Sequence, residues 1–375
     1  MKTYIFQASI FFTLLFSFSS CSKKVYEINM IHESNSCVAT MSKPKNVILM
    51  IGDGMGLSQI TAGLIINNQQ LNLEQFNNIG LHKSFSYDNL VTDSAAGATA
   101  FASGVKTYNG AIGVTPDTIA AKTLLEEAQD KGLETGLVVS STIVHATPAA
   151  FIAHNRLRKN YEEIAVDVSN HTADVLIGGG KKFFDRRKDE QDLISKMESN
   201  GYEVKTFLDG DIQNLTLDPS KKILYLTADE DPLPVSQGRD YLVPATELAL
   251  NRLNQSENGF FMMIEGSQID WGGHANNSDY IVSEMIDFDH VIGKVLDFAK
   301  KDGNTLVVVT ADHETGGYAI LNGTTAEKIE PGFSSTYHSA TMIPVFAYGP
   351  GSEDFRGIYQ NTDINKKIKA LMGWE

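Results

Sequence analysis

In Val91-Thr92-Asp93-Ser94-Ala95-Ala96-Gly97-Ala98-Thr99-Ala100 a serine hydroxyl stands between a carboxylate and a run of small helix formers. Side chains this small let a helix press close against neighbouring backbone, and Ser94 falls in its first turn. There the oxygen shares the helix N-terminus with unpaired N–H groups, an arrangement suited to an anion. Asp and Ser are also ordinary helix caps, so the segment alone leaves both readings open. A serine of this kind becomes a nucleophile when a metal ion activates it. Such activation requires metal ligands elsewhere in the chain.

Suitable side chains recur just after apolar runs. The run 46–51 (Asn-Val-Ile-Leu-Met-Ile) has no polar alternation, as in a strand covered on both faces, and it stops at Gly52-Asp53-Gly54-Met55-Gly56. Leu57 stands where a dinucleotide fingerprint needs its third glycine, so these glycines serve a sharp turn that exposes Asp53 at the strand's end. The strand at 260–264 leads into Glu265, Asp270, Trp271 and His274; the strand at 305–310 leads into Asp312 and His313. A loop then reaches Tyr337-His338 before the strand at 343–348. Each residue has an ordinary explanation: a turn Asp, a surface pair four residues apart, a satisfied core histidine. Independent accidents would not all fall beside glycines at the carboxyl ends of strands, where open α/β sheets bind ligands. The His and Asp donors suit zinc, and the oxygen donors Asp, Glu and Thr suit magnesium.

The elements needed to position them can be read from the same periodicities. Helices are expected at 118–131, 161–170, 244–254 and 278–301, the last with apolar spacing at Ile281, Met285, Phe288, Ile292, Val295 and Phe298. A further strand at 174–180 ends in three glycines with no Gly-Lys-Ser/Thr, so it is read as ending in a turn. Residues 181–238 are charged and weakly patterned, with a helix near 191–200 and a strand near 223–227; they decorate a sheet edge. Alternating strands and helices give an α/β fold, doubly wound, with a mostly parallel central sheet and helices on both faces.

The 375 residues, 42% of them hydrophobic, suffice for such a core, and a net charge of −15 argues against nucleic acid as a partner. It does not argue against a phosphorylated small molecule, because bound divalent cations invert the local field. The amino terminus reads as a targeting segment: Lys2, an apolar run to Phe18, then Ser19-Ser20-Cys21. Residues 1–20 are therefore expected to be a signal peptide of lipoprotein type, with Cys21 lipidated as the membrane anchor, 21–45 a flexible leader, and 46–375 a single catalytic domain. Such a protein is exported, periplasmic or held at a bacterial membrane. Cys37 is the only other cysteine, so acylation of Cys21 excludes an internal disulfide.

Asp93-Ser94-Ala95, followed by Gly104-Val105-Lys106-Thr107-Tyr108-Asn109-Gly110, resembles the nucleophile motif of the alkaline phosphatases, and with the strand-end residues the resemblance runs from Asn46 to Tyr348. It implies hydrolysis of phosphate monoesters through a phosphoserine on Ser94. It also implies two Zn2+ and one Mg2+. By the resemblance Asp270, His274 and His338 hold the first zinc, and Asp53, Asp312 and His313 the second, with Ser94 completing it. Asp53 then bridges to a magnesium-type site with Thr147 and Glu265. Arg158 occupies the phosphate-clamping position, where a guanidinium grips two oxygens at once. Asp93 is expected to fix its loop through backbone N–H groups. The family's best-known bacterial pattern has Asp at position 145 and Lys at position 271; His145 and Trp271 depart from it, resemble a subset of bacterial and cold-adapted members, and leave the third site open to Zn2+ or Co2+. The segment between His313 and His338 is short, and a homodimer is left open. Competing readings are a phosphodiesterase or phosphonate hydrolase of the same superfamily, or a lipoprotein that binds phosphate without turnover.

Overall fold

The computed structural model describes residues 43–374 apart from residue 219. The expected signal peptide, Cys21, Cys37 and the leader up to residue 42 lie outside the described residues. Asn46–Gly52 forms β1, buried along its whole length. Its side chains alternate between two cores: Val47, Leu49 and Ile51 enter one, Ile48 and Met50 the other. That is how a strand without polar alternation is used, with a packed layer on each side.

The chain continues through α1 (Leu57–Ile66), β2 (Asn78–Lys83), α2 (Ser94–Ser103), α3 (Leu124–Asp130), β3 (Glu134–Thr142), α4 (Ala146–Ile152) and α5 (Tyr161–Asn170). Next come β4 (Val175–Gly179), α6 (Lys182–Asp185), α7 (Leu193–Ser199), β5 (Tyr202–Thr206), β6 (Lys222–Leu226) and α8 (Leu242–Leu253). The catalytically suggestive half follows: β7 (Phe260–Gly266), α9 (Gln268–His274), α10 (Ser278–Asp302) and β8 (Thr305–Thr310). The short strands β9 (Glu314–Thr315), β10 (Tyr318–Ile320), β11 (Pro331–Phe333) and β12 (His338–Ser339) precede β13 (Ile343–Tyr348), β14 (Gly357–Gln360) and α11 (Thr362–Met372).

Ten strands make one sheet in the order β14-β2-β13-β8-β1-β7-β3-β4-β6-β5. All pairings are parallel except those of β13, which runs antiparallel to both β2 and β8. Residues of α2, α3, α4, α5 and α11 fill the core on one face; those of α1, α8 and α10 fill the other. The expected doubly wound architecture is present. α10 buries Ile281, Met285, Phe288, Ile292 and Val295; Asn277 caps its start by accepting from the Tyr280 N–H at 3.1 Å, and Gly303 ends it at φ +74°.

Several elements differ from the sequence reading. The helix expected from 118 starts at Leu124, because Thr123 and Glu126 form a reciprocal capping box and Thr118 has φ +61°. β2, β5, β14 and α1 carry too weak a pattern to be read from sequence, whereas α11 is amphipathic, with Ile364, Ile368, Leu371 and Met372 turned to the core, and the sequence reading omitted it. The loop expected before His338 contains two small ladders, β10–β11 and β12–β9. The second places His338 opposite Thr315 and Ser339 opposite Glu314, which returns the chain to the end of β8.

Candidate metal centre

Register gathers the donors. Ile51 of β1 pairs with Glu265 of β7 and with Thr310 of β8, and Val139 of β3 pairs with Glu265, so four parallel strands end level with one another. Asp53, Asp312 with His313, and the start of α4 with its cap His145 and first-turn Thr147 therefore emerge around Glu265. The turn after β1 needs its glycine: Gly54 sits at φ +72°, and a Cβ there would lie 2.7 Å from Asp270 Cα. That close approach brings Asp270 beside Asp53. Asp53 is fully buried, so the sequence expectation that the turn exposes it is corrected: Asp270 of α9 packs against the neighbouring Gly54.

α2 behaves as the small residues dictate. Ser94 to Ala102 are all buried, and a Cβ on Gly97 would meet Asp312 Cβ at 2.9 Å. Asp93 caps the helix, its Oδ1 accepting from the Ala96 N–H at 3.0 Å. Its Oδ2 accepts from Arg158 Nη1 at 2.9 Å, a contact the sequence did not disclose. Ser94 Oγ lies 3.3 Å from His313 Nε2.

The imidazoles are aimed by their far nitrogens. His338 Nδ1 is 2.8 Å from the Thr92 carbonyl oxygen and His274 Nδ1 is 2.7 Å from that of Thr336, while His313 Nδ1 is 3.2 Å from Thr315 Oγ1. For His338 and His274 the Nδ1–H donates to a backbone carbonyl, which leaves Nε2 unprotonated as the ligand atom, the usual arrangement around metal-binding histidines. His274 Nε2 and His338 Nε2 stand 3.4 and 3.6 Å from the Asp270 carboxylate, and His313 Nε2 is 3.5 Å from Asp53 Oδ1 and 3.2 Å from Asp312 Oδ2.

Three overlapping groups have ligand atoms within 4.8 Å of one another: Asp270 with His274 and His338, Asp53 with Asp270 and His313, and Asp53 with His145 and Glu265. Asp53 and Asp270 each belong to two groups. Asp312 hydrogen-bonds the Gly54 and His313 N–H groups through Oδ1 and keeps Oδ2 free beside His313. His145 stands within the third group, and Trp271 meets its ring edge-on at 6.0 Å. Thr147 lies beside Glu265.

The donor set fits divalent cations. Both Asp53 oxygens, Glu265 Oε1, Asp312 Oδ2, Thr147 Oγ1 and His145 Nδ1 are buried without a hydrogen-bond partner, which for native carboxylates demands an explanation. Burial first, then the neighbouring carboxylates Asp312 and Asp270, raises Asp53 well above the carboxylate range, and burial pushes Glu265 up to about 8. Burial alone would also raise Asp312, but the adjacent His313 ring overrides it and lowers that carboxyl. Burial pushes His145 down to about 3 and His338 to about 4, so both are neutral donors. An enclosed cluster of anions with so little counter-charge is stabilised by cations. Sequence reasoning missed Thr315, Ser141 and Thr92, which brace Asp270, Glu265 and His338; nothing marks such residues in the sequence.

Thus the site residues named from the sequence gather at one sheet edge, around Asp53 and Glu265. A sequence model of the family described as alkaline phosphatase matches residues 44–331. Alkaline phosphatase 4 of Bacillus subtilis is 35% identical over 90% of this chain and 90% of its own length. The alkaline phosphatase of the Antarctic bacterium TAB5 is 47% identical, covers 89% of this chain and 99% of its own, and superposes with a TM-score of 0.85. A TAB5 variant with one histidine replaced by aspartate, also 47% identical with a TM-score of 0.85, is described with Mg bound in its M3 site. The Asp93-Ser94-Ala95 helix, the level strand ends and these likenesses lead to one conclusion: the chain belongs to the alkaline phosphatase family, enzymes that hydrolyse phosphate monoesters.

Proposed function

We propose that hydrolysis proceeds through a covalent phosphoserine on Ser94 in a centre of three metal ions. The observation that carries this is the position of Ser94 Oγ, 3.3 Å from His313 Nε2 and at the first turn of α2, beside the unpartnered carboxylates. Asp270, His274 and His338 would hold one Zn2+; Asp53, Asp312 and His313 would hold another beside Ser94. Asp53, Glu265 and Thr147, with His145 facing them, would hold Mg2+ or a transition metal. Bound there, the ions supply Lewis-acid charge that lowers the serine pKa and neutralises the transferring phosphoryl group.

The chain's own residues do the rest. Ser94 Oγ gives up its proton and forms the O–P bond as the ester O–P bond breaks and the alcohol departs, taking a proton. Water then attacks phosphorus, the Ser94 O–P bond breaks, and inorganic phosphate leaves with the serine hydroxyl restored. Arg158 presents two N–H groups to phosphoryl oxygens, and Asp93 holds that guanidinium in place. The N-terminal N–H groups of α2 favour the anion at the same point. His145 and Trp271 wall the side of the third site.

The phosphodiesterase or phosphonate-hydrolase reading is disfavoured by the Asp-Ser-Ala context. A phosphate-binding lipoprotein would need no nucleophile. The chain is read as exported and periplasmic or membrane-anchored, with Cys21 as the lipid site; mass spectrometry of the mature amino terminus tests this. Among the described residues no helix is long and apolar enough to cross a membrane. The decisive experiment on mechanism is Ser94→Ala. Turnover of a chromogenic monoester should fall by about 10³-fold or more in a folded protein, as when a nucleophile is lost. Retention of most of the activity refutes the phosphoserine.

A further inference from the structure

The motif Gly104–Gly110 leaves α2 and contributes no ligand, yet Asn109 within it grips the segment that enters the helix. Its Oδ1 accepts from the Asp93 N–H at 3.1 Å, and its Nδ2 donates to the Val91 carbonyl at 3.0 Å. One carboxamide thus holds the backbone on both sides of Thr92, pairing with an extended stretch as a neighbouring strand would. Its own backbone N–H donates to Asp88 Oδ1 at 3.1 Å, and the Tyr87 N–H donates to the Thr107 carbonyl at 2.8 Å. The turn after α2 is thereby tied to the loop before it.

What this clamp fixes is unusual for one side chain. Asp93 caps α2 through Ala96 and orients Arg158 at 2.9 Å, so its position sets both Ser94 and the guanidinium. Thr92, the residue between the two clamped groups, is fully buried, and its carbonyl is the partner of His338 Nδ1 at 2.8 Å. Serine, arginine and one histidine therefore share a three-residue segment whose register Asn109 holds. We propose that Asn109 is a positioning residue for the reaction: it aligns Val91-Thr92-Asp93 so that nucleophile, phosphate clamp and His338 keep their common geometry. This rests on the roles proposed for Ser94 and Arg158.

The chemistry of the clamp requires an amide. An aspartate can accept from the Asp93 N–H but sets a carboxylate against the Val91 carbonyl; an alanine offers neither bond. Buried or half-buried supports of this kind typically change function by about 10–100-fold when removed.

The test compares Asn109→Asp, nearly isosteric and so expected to fold, with Asn109→Ala, Arg158→Ala, the Asn109→Ala/Arg158→Ala double variant and Ser94→Ala. All are metal-replete by elemental analysis, with activity expressed per folded molecule. Both Asn109 variants should lose about 10–100-fold in kcat/KM. Competitive inhibition by inorganic phosphate should weaken in parallel, because Arg158 has lost its orientation. In the Arg158→Ala background the Asn109→Ala loss should shrink, as for residues acting through one another. A kcat/KM within twofold of the parent for Asn109→Asp, unchanged phosphate inhibition, or fully multiplicative effects with Arg158→Ala would overturn the inference. Those outcomes with an inactive Ser94→Ala refute the clamp alone; an active Ser94→Ala refutes the nucleophile reading instead.

Discussion

His145→Asp should make the third site bind magnesium more tightly than the parent does. In the parent, a buried, neutral imidazole has a nitrogen within 4.8 Å of Asp53 and Glu265 oxygens, and Trp271 packs edge-on against the ring. Magnesium demands oxygen ligands and ordered waters, whereas imidazole is a softer donor that suits zinc or cobalt. An aspartate there adds an oxygen and a negative charge. Two carboxylates at the limiting 4.8 Å repel by about 3 kcal/mol at an effective dielectric near 20. That penalty falls on the ion-free protein and is relieved when a divalent cation binds. Changes of this kind shift metal affinity by about 10–100-fold, or about 1.4–2.7 kcal/mol. The assay is a magnesium titration of zinc-loaded enzyme, read both as monoesterase activity and as Tm. The variant should reach half-maximal activation at a concentration lower by about one to two orders of magnitude. Its Tm in chelator should lie below the parent's, and magnesium should raise it further than it raises the parent's. A titration that overlays the parent's, or moves to higher concentration, refutes the argument.

Exhaustive chelation should abolish turnover and zinc should restore it, with elemental analysis reporting the metal returned; full activity in metal-free protein would contradict the centre. Gly97→Ala places a methyl 2.9 Å from Asp312 Cβ, so either α2 or Asp312 must move. A loss of about 1–3 kcal/mol in stability with a larger loss in kcat is expected, measured by denaturant melts and steady-state kinetics, and a neutral substitution would show that the approach is tolerant. His82 is fully buried, with Nε2 bonded to the Ala311 carbonyl, and burial pushes it down to about 4 from 6.5. Because its folded pKa is depressed, protons bind the unfolded chain preferentially between pH 6.5 and 4, and stability falls as pH drops through that window. From pH 7.5 to 5 the cost is about 2 kcal/mol. His82→Gln should remove that part of the acid sensitivity in melts run with chelator, and an unchanged pH dependence would show that His82 does not titrate this way.

Apolar runs alone specify the central sheet and mark which strand ends carry chemistry. Runs such as Val47–Ile51 and Leu306–Val309 must be buried on both faces, and a sheet between two helix layers does that. Polar residues that immediately follow such runs have no choice but to meet at the carboxyl edge, so Asp53, Glu265, Asp312 and His313 were legible as neighbours. α2 was legible too, since a stretch of Ala and Gly can approach Asp312 as larger side chains cannot. The remaining features of the site depend on pairings between distant segments. His338 reaches the centre through the two-residue ladder β12–β9, too short to leave a period in the sequence. The Arg158–Asp93 bond spans 65 positions and the Asn109 clamp joins a turn to the loop preceding the same helix. Burial of Asp53 was likewise invisible, because a turn Asp is exposed or enclosed according to what packs over it. Local pattern encodes which face of an element is apolar; it does not encode which polar side chains will find each other once those faces have closed.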